Sequence, residues 1–165
     1  MQNECQFSPC RRYRYVLHYG RQKPGPVKLV TFIGLNPSTA DETGLDATLR
    51  RVRRFAFDWG YNSFIILNLF GYRTIDPREL KKITDPVGPE NDYWIEESAP
   101  KAELIVVAWG TLGSFCDRAE TVSGRLSTRK LCCVGVTRDG SPRHPLYVRS
   151  DAQPMPWHGV SNPFS

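Results

Sequence analysis

The chain has 165 residues, 40% hydrophobic and 24% charged, a composition that predicts one soluble globular domain over 1–165 and excludes a disordered or fibrous chain. No apolar run approaches the ~20 residues that span a bilayer, and the first residues form no apolar signal core, so a cytoplasmic monomer without a membrane partner is expected. The net charge of +5 is uneven: residues 1–82 carry 14 basic and 7 acidic side chains, residues 83–165 carry 8 and 10, which points to nucleic acid as partner or to a solubility surplus.

Taken in order, Tyr13–Tyr19 alternates aromatic and polar residues and reads as an edge strand. Arg11, Arg12 and Arg14 beside it read as phosphate contacts or as a solvated edge. Val27–Ile33, Phe64–Phe70, Leu104–Trp109 and Leu131–Val136 are short and apolar nearly throughout, as strands buried on both faces of a parallel sheet are. Between the first two, Leu45, Leu49, Val52, Ala56 and Trp59 recur at helical spacing, with Arg50, Arg51, Arg53 and Arg54 on or near the opposite side and Gly60 as a stop. Thr39 with Glu42 fits a capping box. Pro89 followed by Glu90, Asn91 and Asp92 reads as a second helix start. A third helix is expected from Gly110 to about Leu126. The tail Asp151–Ser165 lacks periodicity and reads as a wrapping coil. Alternating strands and helices predict an α/β fold, a three-layer helix–sheet–helix sandwich around a four-stranded parallel sheet.

The familiar catalytic signatures are missing. There is no P-loop, no dinucleotide fingerprint and no nucleophile elbow. His18, His144 and His158 lack metal-ligand spacing. Cys5, Cys10, Cys116, Cys132 and Cys133 read as free thiols, Cys132 and Cys133 as core packing; a metal cluster from Cys5, Cys10, Cys116 and Cys132 would need looser spacing than such sites use. No metal and no cofactor are expected.

In open α/β sheets, ligands bind at the carboxyl ends of the strands. The first long strand runs into Gly34-Leu35-Asn36-Pro37-Ser38, where Pro37 forces a turn and leaves Asn36 at the lip of the sheet. Asn36 either faces a ligand or makes an Asx-turn. Asn68 interrupts the apolar run Ile66-Leu67-Asn68-Leu69-Phe70. Its amide either reads a ligand or is a satisfied structural group, since burying it unpaired is costly. Pro142 and Pro145 stiffen the loop around Arg143 and His144, so His144 is either a fixed hydrogen-bond donor or a bystander.

Gly34-Leu35-Asn36-Pro37-Ser38, Asn68, Trp109-Gly110 and His144-Pro145-Leu146, in this order, resemble the motifs of the uracil-DNA glycosylase superfamily, and the first is most similar to its mismatch-specific branch. More narrowly, Phe32 to Tyr147 resembles a bacterial and phage family of unknown function, DUF1643, through Leu35–Asp41, Trp59-Gly60-Tyr61, Asn68-Leu69-Phe70, Asp85–Asp92 and Asp139–Tyr147. The wider resemblance implies a monofunctional DNA glycosylase that hydrolyses the N-glycosidic bond of a flipped base and leaves an abasic site, with no Schiff base. Asn36 would hold the attacking water and His144 would donate to the departing base. Gly34, Leu35, Pro37, Ser38, Asp46, Thr48, Asn68 and Phe70 would line the base pocket. Arg50, Arg54 and Arg143 would meet phosphates. Leu146, with Tyr147, would fill the gap in the duplex.

Uracil enzymes stack an aromatic ring on the base shortly after the first motif. Here that stretch reads Leu45-Asp46-Ala47-Thr48-Leu49. The expectation is therefore a modified pyrimidine, with glucosylated hydroxymethylcytosine of phage DNA as the leading case and phage defence as the setting. Two other readings stay open: a non-catalytic nucleic-acid-binding module of the same fold, and a hydrolase of free nucleosides or nucleotides.

Overall fold

The computed structural model describes residues 2–20 and 25–160. Seven strands form one mixed sheet: β1 (Gln2–Phe7), β2 (Arg14–Gly20), β3 (Leu29–Gly34), β4 (Ser63–Asn68), β5 (Leu104–Val107), β6 (Leu131–Cys133) and β7 (Met155–Pro156), in the order β1-β2-β4-β3-β5-β6-β7. The centre, β4-β3-β5-β6, is parallel and corresponds to the four apolar runs. The pairs β1–β2, β2–β4 and β6–β7 are antiparallel. The sheet is thus larger and more mixed than the four-stranded parallel sheet expected. The aromatic segment Tyr13–Tyr19 is not at the edge, because β1 covers it. The tail is not all coil, because Met155–Pro156 pairs with β6; its last five residues, 161–165, lie outside the described residues. The edge strands were hard to foresee because polar β1 and two-residue β7 carry little hydrophobic signal.

Three helices, α1 (Ala47–Asp58), α2 (Asn91–Ser98) and α3 (Arg118–Arg125), flank the sheet. Side chains alternate across each central strand and feed two cores. Phe32, Phe64, Ile66 and Val106 pack with Leu49, Val52, Phe55 and Ala56 of α1. Ile33, Ile65, Leu67, Ile105 and Val107 pack with Ile95 of α2 and Val122 of α3. Every residue of β4 is buried. Each fully buried Phe, Leu, Ile or Val stabilises the fold by about 1.5–3 kcal/mol relative to exposure.

The start and stop of α1 have local causes. The Asp46 side chain accepts from Leu49 N at 2.9 Å and caps the helix. Gly60, at φ +87°, takes the left-handed conformation that closes it: Tyr61 N donates to Ala56 O and Gly60 N to Phe57 O. The expected capping box at Thr39 and Glu42 is therefore displaced; Asp46 outcompetes it because the chain between them makes a tight turn, with Asp41 N donating to Gly44 O and Thr43 N to Asp41 Oδ1. The third helix is also shorter than expected. Thr111–Asp117 forms 3-10 turns, extended Phe115 and left-handed Cys116 and Asp117 break the path, and α3 begins at Arg118. Among the described residues no helix is long and apolar enough to cross a membrane.

Candidate functional site

Backbone hydrogen bonds continue past the ends of the parallel strands and draw their loops together. Leu69 N donates to Gly34 O and Phe70 N to Leu35 O, both at 2.9 Å. Ala108 N donates to Ile33 O at 2.8 Å, and Gly110 N donates to Pro142 O at 2.8 Å. The loops after β3, β4, β5 and β6 therefore meet over one rim of the sheet. There a cavity of about 210 Å³ opens, lined by Gly34, Leu35, Asn36, Ser38, Asn68 and His144, with Asp46 and Thr48 from the start of α1. An apolar cavity of about 150 Å³ already accepts benzene, so a six-membered base ring fits in this space.

Asn36 is half-buried and its orientation is fixed. Its Nδ2 donates to Pro37 O at 3.0 Å and to Thr74 O at 2.9 Å. With both amide hydrogens used, Oδ1 is left as an acceptor. This is more than an Asx-turn, because Thr74 comes from the segment beyond β4. Pro37 itself is buried and serves through its carbonyl rather than as cavity wall.

Asn68 closes β4, opposite Gly34 in the parallel ladder. It is buried, and its Nδ2 has no hydrogen-bond partner. A satisfied structural amide would not look like this, since an unpaired buried donor costs roughly 1–3 kcal/mol. The backbone carbonyls of Asn68 and Leu69 are fixed from behind: Asn91 Nδ2 donates to both, at 2.9 and 3.1 Å, and Arg118 Nε and Nη2 donate to Leu69 O at 3.0 and 2.9 Å.

His144 precedes the turn Pro145–Tyr147 and caps it: Leu146 N donates to His144 Nδ1 at 3.3 Å. A ring nitrogen that accepts is unprotonated, so the neutral imidazole carries its hydrogen on Nε2. Burial favours the same form by lowering the pKa, while the charge of Asp46 pulls the other way.

Arg14, read from the sequence as a phosphate contact or a solvated edge, is not a solvated edge. It is 2% exposed and lines the cavity. Its Nη1 donates to Ala40 O, and its buried Nε has no partner. Nothing in the alternating pattern marked it, because arginine is rarely buried and the strand was read as an edge. Thr74, Ile75 and Trp109 also line the cavity without a sequence signal beyond the Trp109-Gly110 pair.

Phe70 is not brought to the cavity. It is fully buried in the core beside Phe115, with ring centroids 5.5 Å apart. The strand ends at Asn68, and the chain then carries Phe70 into the α2–α3 core.

The residues expected to meet DNA do not line this cavity. Arg50 and Arg54 stand on the exposed face of α1, Arg50 donating to Leu45 O at 2.7 Å and Arg54 pairing with Asp58 at 3.5 Å. A second hollow, of about 440 Å³, shares Leu35, Pro77, Trp109 and His144 with the cavity and adds Arg143 and Tyr147. Leu146 is 42% exposed and Tyr147 is 76% exposed, two neighbouring apolar side chains open to solvent on one turn.

All five cysteines are free, and only Cys133 is fully buried. Among the described residues no group of three or more His, Cys, Asp or Glu is placed to hold a metal ion.

Residues 14–146 match the family described as Protein of unknown function (DUF1643), and the chain belongs to that family. No curated protein and no solved structure matches it.

Proposed function

We infer that this member of the DUF1643 family is a monofunctional DNA glycosylase acting on a flipped, modified pyrimidine. One observation carries the reading: the cavity at the strand ends holds a fixed acceptor, Asn36 Oδ1, together with a fixed neutral donor, His144 Nε2. That pairing suits cleavage of an N-glycosidic bond. A base in a duplex is out of reach, so the enzyme would extrude it at a cost of a few kcal/mol. The bond between C1′ and the base nitrogen breaks, and its electron pair leaves with the base. His144 donates to the base oxygen that gains this charge, a contribution of roughly 2.7–4 kcal/mol for a well-placed donor. Water held by Asn36 Oδ1 adds to the electron-poor C1′ and releases its proton to solvent. The amide is a weak base, and orientation of the water is its contribution.

The order of motifs Gly34–Ser38, Asn68 and His144–Leu146 along a parallel sheet supports a uracil-DNA glycosylase-like arrangement. The second hollow beside the cavity suits a bulky ring substituent, such as a glucosylated hydroxymethyl group. DNA attacked in this way would be that of phages with modified cytosine. Arg50, Arg54 and Arg143 would meet phosphates, and exposed Leu146 and Tyr147 would enter the vacated stack.

The test is an abasic-site assay on DNAs carrying uracil, mismatched thymine, hydroxymethylated and glucosylated cytosine, and unmodified bases. Alkali-labile sites at one modified pyrimidine, lost in Asn36→Ala, are the expected result. Salt-sensitive binding without cleavage would replace the enzyme by a binding module. Turnover of free nucleotides alone would move the activity off DNA.

A further inference from the structure

Arg14, which lines the cavity, forms no ion pair with a carboxylate of the described residues. Arg14 is 2% exposed, its Nε is buried without a partner, and among the described residues only Ala40 O accepts from its guanidinium. No carboxylate of the described residues lies within ion-pair distance of it. Cys5, Asp46 on the same cavity and Asp41 favour its charge only from farther away, and Arg73 opposes it. Burying a charge unpaired costs several kcal/mol. Burial pushes the Arg14 pKa down to about 10, which still leaves it charged at neutral pH. Asn68, which lines the same cavity, has in Nδ2 a second buried donor with no acceptor. Two unmet donors in one cavity describe a ligand edge that presents acceptors.

We propose that Arg14 is a specificity residue that reads the O2 and N3 edge of a cytosine-type base in this cavity. The proposal rests on the reading of the cavity as a base pocket. Arginine, charged at neutral pH, offers only donors. Cytosine offers O2 and N3 as adjacent acceptors, and its exocyclic amine is a donor that the uncapped Asp46 oxygen, Oδ2, can receive. Uracil and thymine carry a hydrogen on N3, which would face the guanidinium donor to donor. The C5 position lies off this edge, so substituents there leave the contact intact.

The experiment measures binding of 5-hydroxymethyl-2′-deoxycytidine and 5-hydroxymethyl-2′-deoxyuridine to the full chain by NMR titration. The wild type should prefer the cytosine nucleoside by about tenfold, the scale of one bidentate base contact. In Arg14→Gln, whose amide both donates and accepts, the preference should fall to near unity. In the wild type the Arg14 Nε–H resonance should move with the cytosine nucleoside and not with the uracil one. That resonance decides alone if Arg14→Gln does not fold. An unchanged preference in a folded variant, no preference in the wild type, or no binding of either nucleoside overturns the proposal. The abasic-site assay judges the glycosylase separately. Cleavage without an Arg14-dependent preference keeps the enzyme and removes this role. A preference without cleavage keeps the role and removes the enzyme.

Discussion

A Cβ placed on Gly34 would lie 2.9 Å from Asn68 Oδ1, closer than real Cβ contacts come. The two residues face each other across the parallel β3–β4 pair at the cavity rim. Gly34 thus reserves space for the Asn68 amide in its observed rotamer. Gly34→Ala should push Asn68 aside, at a cost of about 1–3 kcal/mol in stability. Cleavage should fall by more than the loss of folded protein explains. Thermal unfolding and single-turnover cleavage on the same preparation check this. Unchanged cleavage would mean that Asn68 does not contact the base.

Asn36 is held by two carbonyls, so its removal has two separable effects. Asn36→Ala leaves Thr74 O without its donor, while Pro37 O keeps Thr74 N at 3.0 Å, and should destabilise the chain by roughly 1–3 kcal/mol. If Oδ1 orients the water, cleavage should drop on the order of 10²–10³-fold while DNA affinity stays within a few fold. Single-turnover rates and equilibrium binding on the same oligonucleotide separate the two. Parallel losses of binding and rate would make Asn36 a structural residue.

His144 sets a pH dependence whose sign can be worked out. Burial lowers its pKa from the ordinary 6.5. As pH falls below that value, the unfolded chain takes up a proton before the folded one does, so folding loses stability from about 6.5 down to the lower folded value. The neutral donor, with Leu146 N–H on Nδ1, persists through that window. Cleavage limited by this group should therefore stay level to below pH 6.5. His144→Gln should lose most activity and flatten the stability profile between pH 7 and 5. An inflection near 6.5 in the wild-type rate would show that the ring is not shielded.

The support behind Asn68 predicts a mutation remote from the cavity. Arg118 joins Leu69 O to Asp92, with Nη2 at 2.6 Å from Asp92 Oδ1 and the arginine side chain only 6% exposed. Arg118→Met strips Leu69 O of two donors and leaves Asp92 to Arg125 at 3.2 Å. Because Asp92 is 29% exposed and keeps Arg125, the loss should stay below the about 3–5 kcal/mol of a fully buried pair broken from one side. The melting temperature should drop clearly. Cleavage measured well below that temperature should also fall, because the strand end carrying Asn68 loosens. Restoration of both by Arg118→Lys would argue against a need for the forked guanidinium.

The parallel core was legible because strands buried on both faces must be apolar throughout, as Phe64–Leu67 shows. Asn36, Asn68 and His144 stood out because each is a polar residue where such a strand or a proline-stiffened loop ends. Their partners were not legible. Thr74 meets Asn36, and Arg118 meets Leu69, through contacts 38 and 49 residues apart in the chain, which no local pattern encodes. Arg14 was hidden for a related reason: only the pairing of β1 outside β2 and the fold of the Ala40 loop over it make that strand interior. Phe70 shows the opposite error: expected in the base pocket with Asn68, it is turned by the backbone into the core.

The exposed rim separates a DNA enzyme from an enzyme of free nucleotides. Leu146 and Tyr147 follow His144 after Pro145, on a turn fixed by the Leu146 N to His144 Nδ1 bond and by Tyr147 N donating to His144 O at 3.0 Å. Their exposure means that truncation removes little packing, so Leu146→Ala and Tyr147→Ala should unfold at the wild-type temperature within a few degrees. If these side chains fill the gap left by a flipped base, duplex cleavage should weaken by about tenfold or more, since opening the stack costs a few kcal/mol. Cleavage of the same base in a single strand should change far less. Arg143→Ala should instead weaken duplex binding for every sequence and make its salt dependence shallower by about one phosphate contact. Equal effects of Leu146→Ala on single-stranded and duplex substrates would remove the wedge. A rate insensitive to salt and to all three substitutions would identify a free nucleotide as the substrate.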